Sequence, residues 1–297
     1  MSGFFLTYIS SNLLLYILGK IMTETSANDS FLDDIGLIAP LYDLDFLAFP
    51  REDINFYKSL GEIYGPNILE LGIGTGQIGL SLAETGANVT GVDISPEMLE
   101  ITANNAQKNG TKIELVCQDM LDLKLDSNFG LVCAPMGTIQ HCQTIEEVVR
   151  MFSTIEQYLA PDGIAVIDAD SPNPDDFSPP PLPPIQHWSQ FTHLGSENLP
   201  SKVTKTVVIE PEPATSTKHV TWHYDIATIG NNDNQVHGAG LLSRVTVEFS
   251  LLTITRNEME LAARLANLEI IDTFGDYDLN EYGEGVRLIT LLRKTSK

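Results

Sequence analysis

From Asn67 onward, short apolar runs alternate with amphipathic stretches, and this alternation organises the first half of the chain. Asn67–Leu71 (NILEL) predicts a strand, and Gly76–Glu84 predicts a helix closed by Gly86. Asn88–Val92 predicts a second strand. Ser95 then stands where it caps a helix with Pro96 at its first position, running to about Lys108 before Asn109-Gly110 stops it. Lys112–Cys117 and Gly130–Ala134 predict a third and a fourth strand. Thr144 and Glu147 carry the capping-box spacing for a helix through Leu159, and Pro161-Asp162-Gly163 turns the chain into a fifth strand, Ile164–Asp168. Strand–helix alternation of this kind implies an α/β fold with a parallel, doubly wound sheet.

The period changes after residue 170. Ser171–Pro184 (SPNPDDFSPPPLPP) is too rich in proline for regular structure and reads as a linker or lid. Three strand-like segments follow, at Lys202–Ile209, His219–Thr228 and Arg244–Leu252, with Gly230–Gly240 (GNNDNQVHGAG) as a flexible loop between the last two. They predict an antiparallel insertion. Thr255 and Glu258 form a second capping box, for a helix to about Asn267. Strands Glu269–Thr273 and Val286–Arg293, separated by the loop Gly275–Gly285, close the chain. There is no internal repeat.

The N-terminal stretch Phe4–Ile21 is largely apolar, but Ser10, Ser11 and Asn12 interrupt it and no basic residue precedes it. A secretory signal needs a positive start, and a spanning helix needs about 20 apolar residues. The expectation is a loose apolar extension without stable membrane insertion. Charge narrows the partners. Lys plus Arg is 17 against 40 for Asp plus Glu, a net charge of −23, which repels a phosphate backbone and excludes nucleic acid as an expected substrate. A small cation is tolerated. Cys117, Cys133 and Cys142 are too few and too irregular for a disulfide framework or a metal site, and Cys117 and Cys133 lie in apolar runs expected to be buried. A reducing, cytoplasmic setting is the expectation.

The chemistry concentrates in Ile68-Leu-Glu-Leu-Gly-Ile-Gly-Thr-Gly76. A strand ends in the acid Glu70, followed by Gly72, Gly74 and Gly76 and then a helix, so the backbone can turn tightly and approach a ligand near the positive helix end. Asp93 ends the second strand, where a carboxylate accepts the hydroxyls of a ribose, and Asp119 follows the third, where an adenine amino group can be read. Gly74-x-Gly76-x-x-Gly79 also satisfies the dinucleotide pattern, which is weak alone. Glu70 decides between the two readings: it repels a pyrophosphate and welcomes an ammonium. The expected cofactor is therefore S-adenosylmethionine.

At these residues the chain resembles the class I S-adenosylmethionine-dependent methyltransferases, and among them the small-molecule N-methyltransferases of the glycine/sarcosine and amino-sugar N,N-dimethyltransferase type. The stretches that carry the resemblance are Ala39-Pro-Leu-Tyr-Asp43, Ile68–Gly76, Val92-Asp-Ile-Ser-Pro-Glu-Met98, Cys117-Gln-Asp-Met120, Met136-Gly-Thr-Ile-Gln-His141 and Phe274-Gly-Asp-Tyr277. The resemblance implies a Rossmann-like, doubly wound seven-stranded sheet with an antiparallel β lid. It divides the chain into an extension (1–35), a cofactor-binding core (36–170), a proline-rich linker and lid (171–254) and a closing helix and strand pair (255–297). It further implies that Glu70, Gly72, Gly74 and Gly76 hold the methionine and ribose part, that Asp93 takes the ribose diol, and that Ile94 and Met98 pack on adenine. Asp119 would accept from the adenine amino group with Met120 beside it, Ala134 to Met136 would meet the methionine end, and Tyr42 would fold over the cofactor. Pro135 departs from the family pattern, because it has no backbone N–H to donate.

Methyl transfer from a sulfonium is an in-line displacement that asks the protein for alignment, exclusion of water and removal of one proton. No metal is needed. His141 is the candidate base, against the plainer reading that it packs a loop; Tyr42 is the second candidate beside it. Trp222 and Tyr224 share a strand face that either encloses a cationic amine or forms sheet or dimer core, so the insertion is also a candidate homodimer surface. Arg244 and Arg287 pair either with a substrate carboxylate or with the abundant acids. The expected reaction is N-methylation of a small-molecule amine, releasing S-adenosylhomocysteine. A small-molecule O-methyltransferase, a nicotinamide-dependent oxidoreductase and a non-methylating cofactor-binding protein are the alternatives.

Overall fold

A computed structural model describes residues 38–39, 41–49, 51–178, 182–194, 199–228 and 241–295. The expected N-terminal extension, the centre of the proline run and the loop Gly230–Gly240 lie outside the described residues. Helices α1 (residues 41–48) and α2 (Asp53–Tyr64) precede β1 (Asn67–Leu71), α3 (Gln77–Ala83), β2 (Asn88–Asp93), α4 (Pro96–Asn109), β3 (Glu114–Cys117) and β4 (Phe129–Ala134). A 3-10 turn at Thr138–His141 leads to α5 (Ile145–Tyr158) and β5 (Leu159–Asp170). Strands β6 (Ile185–Leu194), β7 (Leu199–Glu212), β8 (Thr217–Thr228) and β9 (Leu241–Leu252) follow, and α6 (Arg256–Leu265), β10 (Leu268–Phe274) and β11 (Arg287–Lys294) close the chain.

Seven strands form one sheet in the order β10-β11-β5-β4-β1-β2-β3. β1 pairs in parallel with β2 on one side and β4 on the other, so the strand order reverses beside β1 and a crevice opens past the carboxyl ends. β11 runs antiparallel to both β5 and β10. The central strands are apolar on both faces because both are covered. Met151, Phe152 and Ile155 of α5 pack on one face with Met259 and Ala262 of α6. Phe56 and Leu60 of α2 pack on the other with Ile78 and Leu82 of α3.

The insertion is a separate antiparallel sheet, β6-β7-β8-β9. Its inner face (Val203, Val220, Tyr224, Val247, Phe249) buries Leu41 and Leu44 of α1 and Met98 of α4. The alternation after residue 200 predicts three strands, and the structure has four. β6 escapes the pattern because it follows directly on the proline run and a bulge between Gln186 and Trp188 breaks its period of two. Pro161-Asp162-Gly163 does not separate helix from strand either. β5 begins at Leu159, and its pairing with β4 jumps from Phe129↔Leu159 to Leu131↔Ile164, so those three residues bulge outward. Cys117 is exposed, contrary to expectation, because β3 is an edge strand; Cys133 on central β4 is buried. Among the described residues no helix is long and apolar enough to cross a membrane.

The caps follow the sequence signals closely. Ser95 Oγ accepts from Met98 N at 3.2 Å, and Gly110 ends α4 in the left-handed region. Thr144 caps α5, although the Glu147 carboxylate accepts from Gln143 N at 2.6 Å rather than closing the box. Thr255 and Glu258 complete theirs. Thr255→Ala is expected to cost about 1–2 kcal/mol in urea unfolding with an unchanged m value; an unchanged midpoint would show that packing alone holds α6 in place.

Candidate active site

A cavity of about 360 Å³ lies in the crevice where the sheet order reverses, within the range of small-molecule sites. The loop from β1 to α3 forms its floor. Gly72 and Gly74 have φ of 68° and 56°, which disfavours any side chain. A Cβ on Gly72 would lie 2.6 Å from the Thr138 side chain, whereas one on Gly74 would meet nothing within 4 Å, so the Gly74 backbone borders open space. Gly76 caps α3 and does not line the cavity; a Cβ there would strike Thr102.

Glu70 is 2% exposed and lines this floor, and its Oε2 has no hydrogen-bond partner; nor has Oγ1 of Thr75, which lines the same cavity. Burial pushes the Glu70 carboxyl well above the usual carboxylate range and Asp93 adds to this, opposed by the Gly79 N–H and Arg51. Such buried acceptors are costly unless a donor reaches them. They fit the ammonium of a methionine-type ligand. Asp93 ties the loop to β2: Oδ2 accepts from Gly74 N at 2.8 Å and Oδ1 from Ser95 N at 2.9 Å. Burial raises its pKa against the pull of these N–H groups. The lone pairs not facing these N–H groups remain available to a ligand hydroxyl. Ile94, Met98, Asp119 and Met120 line the neighbouring wall, and Asp119 Oδ1 accepts from Leu121 N at 2.8 Å.

Past β4 the lining residues are Pro135 and Met136, while Ala134, expected to meet the ligand, is fully buried behind them in the sheet. Met136 has φ 55° and is held there by Asp168, whose Oδ2 accepts from Met136 N at 3.0 Å and whose carbonyl accepts from Gly137 N at 2.8 Å. Asp168 is wholly buried and also accepts from Tyr277 OH at 2.6 Å and from Arg287 Nε at 2.8 Å. Arg287 also pairs with Asp170, so it serves an internal network rather than a ligand. His141 lines the cavity at the end of its 3-10 turn, with its ring stacked on Phe249 (centroids 6.0 Å). Burial pushes its pKa down to about 4. Tyr42 and Phe46 of α1 close the opposite side. Burial and the acids Asp45, Asp93 and Asp43 raise the Tyr42 phenol, which therefore stays protonated.

Two expected acceptor contacts fall elsewhere. Tyr224 shares the inner face with Trp222 as predicted, but it is fully buried and its hydroxyl donates to Asp45 at 3.3 Å. Arg244 is on the exposed end of β9, paired with Asp225 at 2.6 Å and outside the cavity. Trp222 does line the cavity, and the cation above its ring is the protein's own Lys205, 3.5 Å from the centroid. Sequence reasoning missed Phe46 and Asp168, which nothing local marks, and read Glu147 only as part of a capping box. It also missed Thr138 and Cys142, which sit in or beside the flagged stretch Met136–His141. Four carboxylates, those of Glu70, Asp93, Asp119 and Glu147, line the cavity, and among the described residues no lysine or arginine does. Among the described residues there is no group of side chains arranged for a metal ion.

An acidic strand end, a glycine turn and a second acid on the next strand lie on a seven-stranded sheet whose last strand is antiparallel, the arrangement of the α/β methyltransferase fold. Residues 68–163 match the methyltransferase domain family. The chain is similar to the cypemycin N-terminal methyltransferase of a Streptomyces species, 34% identical over 36% of this chain and 43% of that protein. It is also similar to the ubiquinone biosynthesis O-methyltransferase of Haemophilus ducreyi, 28% identical over 48% of this chain and 65% of that one. The chain thus spans less than two thirds of each of these curated relatives. The fold matches the crystal structure of an S-adenosylmethionine-dependent methyltransferase from Clostridium acetobutylicum, with a TM-score of 0.64 and 17% identity over 82% of this chain and 91% of that one.

Proposed function

We propose that this protein methylates a small amine with S-adenosylmethionine, and the sign of the cavity's charge carries the choice of acceptor. Four carboxyl groups and, among the described residues, no lysine or arginine line it; such a site disfavours phosphorylated acceptors and favours neutral or cationic ones. When bound, the cofactor supplies a methyl group already activated for displacement. Glu70 and Thr75 accept from its ammonium, Asp93 from the ribose hydroxyls and Asp119 from the adenine amino group, while Ile94 and Met98 pack on the base. Tyr42, Phe46 and Trp222 shut out water.

A base with a pKa of about 4 lies roughly six units below an alkylammonium, too weak to deprotonate one. His141 in its neutral form is therefore assigned to accept a hydrogen bond from the amine and direct its lone pair; the ammonium proton leaves to solvent beforehand. His141→Gln is expected to slow turnover by about tenfold, not the 10²–10⁴-fold typical of a lost general base. The same burial couples to stability. The unfolded ring takes up a proton near pH 6.5 and the folded one only near 4, so between these values the unfolded state binds more protons and stability falls as pH falls. By pH 4 the loss amounts to roughly 3 kcal/mol. His141→Gln lacks this component, and identical wild-type and variant slopes in denaturation between pH 6.5 and 4 would refute the buried neutral ring.

The functional test incubates the protein and cofactor with primary and secondary amines, with phenols and carboxylic acids as controls, and quantifies S-adenosylhomocysteine by mass spectrometry. Product with amines is expected; product with phenols alone would transfer the assignment to O-methylation. The three free cysteines support a cytoplasmic setting. The edge strand β6, with Phe191 75% exposed, supports pairing of two copies through the inserted sheet.

A further inference from the structure

Lys205 lies on the largely apolar inner face of the four-stranded sheet and is 2% exposed. Burying an ammonium costs several kcal/mol unless it is paired and hydrogen-bonded. Its Nζ lies 2.6 Å from Asp45 Oδ2, and it sits 3.5 Å from the Trp222 ring centre and 5.3 Å from that of Tyr224. Asp45 also accepts from Tyr224 OH at 3.3 Å and from the Trp188 indole N–H. Three adjacent strands, β6, β7 and β8, thus each send one donor to a single carboxylate on α1. The register makes this convergence inevitable: Lys205 stands opposite Tyr224, and Trp222 opposite Val207 on the same face.

Asp45 shares α1 with Tyr42 and Phe46, the residues that close the cavity. Asp43 anchors the same helix to the core, accepting from Gln77 Nε2 at 3.0 Å. Trp222 lines the cavity from the sheet side and stands 6.3 Å from Tyr42. Both halves of this wall are therefore referenced to one ammonium, which holds the helix through Asp45 and the indole plane by cation–π attraction. We propose that Lys205, with Asp45, is a positioning residue for the cofactor cavity, setting the Tyr42 and Trp222 wall without lining the cavity itself. The proposal rests on the cofactor reading above.

A purely stabilising ion pair needs no such placement, and the same sheet supplies the comparison. Lys218 of β8 pairs with Asp176 at 3.2 Å, with side chains 8% and 6% exposed, and neither residue lines the cavity. Both tryptophans of the chain, Trp188 and Trp222, belong to the Asp45–Lys205 cluster, so intrinsic fluorescence reads it directly. The experiment measures S-adenosylhomocysteine affinity by calorimetry, tryptophan emission and melting temperature in the wild type, Lys205→Met and Lys218→Met. Asp45→Asn, which keeps an acceptor oxygen for the Trp188 indole while an amide NH2 replaces the oxygen facing Lys205 and Tyr224, is the second variant should Lys205→Met not fold. Lys205→Met or Asp45→Asn is expected to weaken binding by about tenfold, to shift the emission without ligand, and to raise KM more than it lowers kcat. Lys218→Met is expected to lose melting temperature while binding as the wild type does. Wild-type affinity in the Lys205 and Asp45 variants, or equal weakening in Lys218→Met, overturns the positioning role. A wild type that itself binds no S-adenosylhomocysteine overturns the cofactor reading and this proposal with it.

Discussion

Asp93→Ala is expected to bind S-adenosylhomocysteine about 100-fold more weakly than the wild type. The carboxylate accepts from Gly74 N and Ser95 N, at 2.8 and 2.9 Å, and its remaining lone pairs are placed for the ligand hydroxyls. Two hydrogen bonds to a charged group contribute roughly 1.5–3 kcal/mol each. Their loss at the lower value comes to about 3 kcal/mol, and 1.4 kcal/mol is a factor of ten. The variant also frees the Gly74 N–H and so loosens the glycine turn. Ser95 retains its own cap on Met98, so α4 is expected to stay folded. Asp93→Asn keeps one acceptor and is expected to lose only about tenfold. Calorimetric titration at a temperature well below the melting point of each variant decides the matter. Affinity in Asp93→Ala within about threefold of the wild type would remove this carboxylate from the ribose position.

The second large effect is on stability. Asp168→Ala is expected to cost about 3 kcal/mol, because it removes the buried acceptor of the Arg287 guanidinium, 18% exposed, and leaves it only the half-exposed Asp170. Tyr277 OH and Met136 N lose their partner as well. For a chain of this size each kcal/mol moves the melting temperature by roughly 2–4 °C, so a fall on the order of 10 °C is expected. Met136 sits at φ 55°, a conformation that costs a side-chain-bearing residue about 1–2 kcal/mol. Released from Asp168, that turn is expected to relax away from the cavity it lines, so ligand affinity falls along with stability. Combining Asp168→Ala with Arg287→Met tests the pairing: the double variant is expected to recover part of the loss, as contacting residues couple by about 0.5–3 kcal/mol. Strict additivity of the two single variants would show that they do not act as a pair.

The legible part of this protein is the part written in local pattern. β1, α3, β2 and α4 follow their predicted limits within a few residues, because hydrophobic period, Ser95, Pro96 and Gly110 all act within one or two turns of the chain. The floor of the cavity is legible for the same reason, since Glu70, Gly72, Gly74 and Asp93 lie at strand ends whose positions the pattern predicts. β6 was hidden by a bulge and a preceding proline run, and the extra residues at Pro161–Gly163 were absorbed by a bulge where a turn was expected. Arg244 and Tyr224 were reasonable substrate ligands by residue type, but their partners, Asp225 and Asp45, depend on which strand and which helix lie alongside. Trp222 could by residue type enclose a cationic amine or form sheet core; the cation over its ring is the protein's own Lys205.

Sequence alone therefore determined the alternating core, the capped helices, the glycine turn with its acids and the excess negative charge, each of which is a property of neighbouring residues or of simple composition. Tertiary structure decided the roles that depend on distance. Asp168 meets Arg287 across 119 positions and Asp45 meets Lys205 across 160, and the absence of a cationic side chain from the cavity lining, among the described residues, emerges only when the linings from several elements are brought together. Ion pairs and buried hydrogen bonds of this kind carry no period and no spacing. They exist because folding removes two polar groups from water at the same place, and only the folded chain says which two.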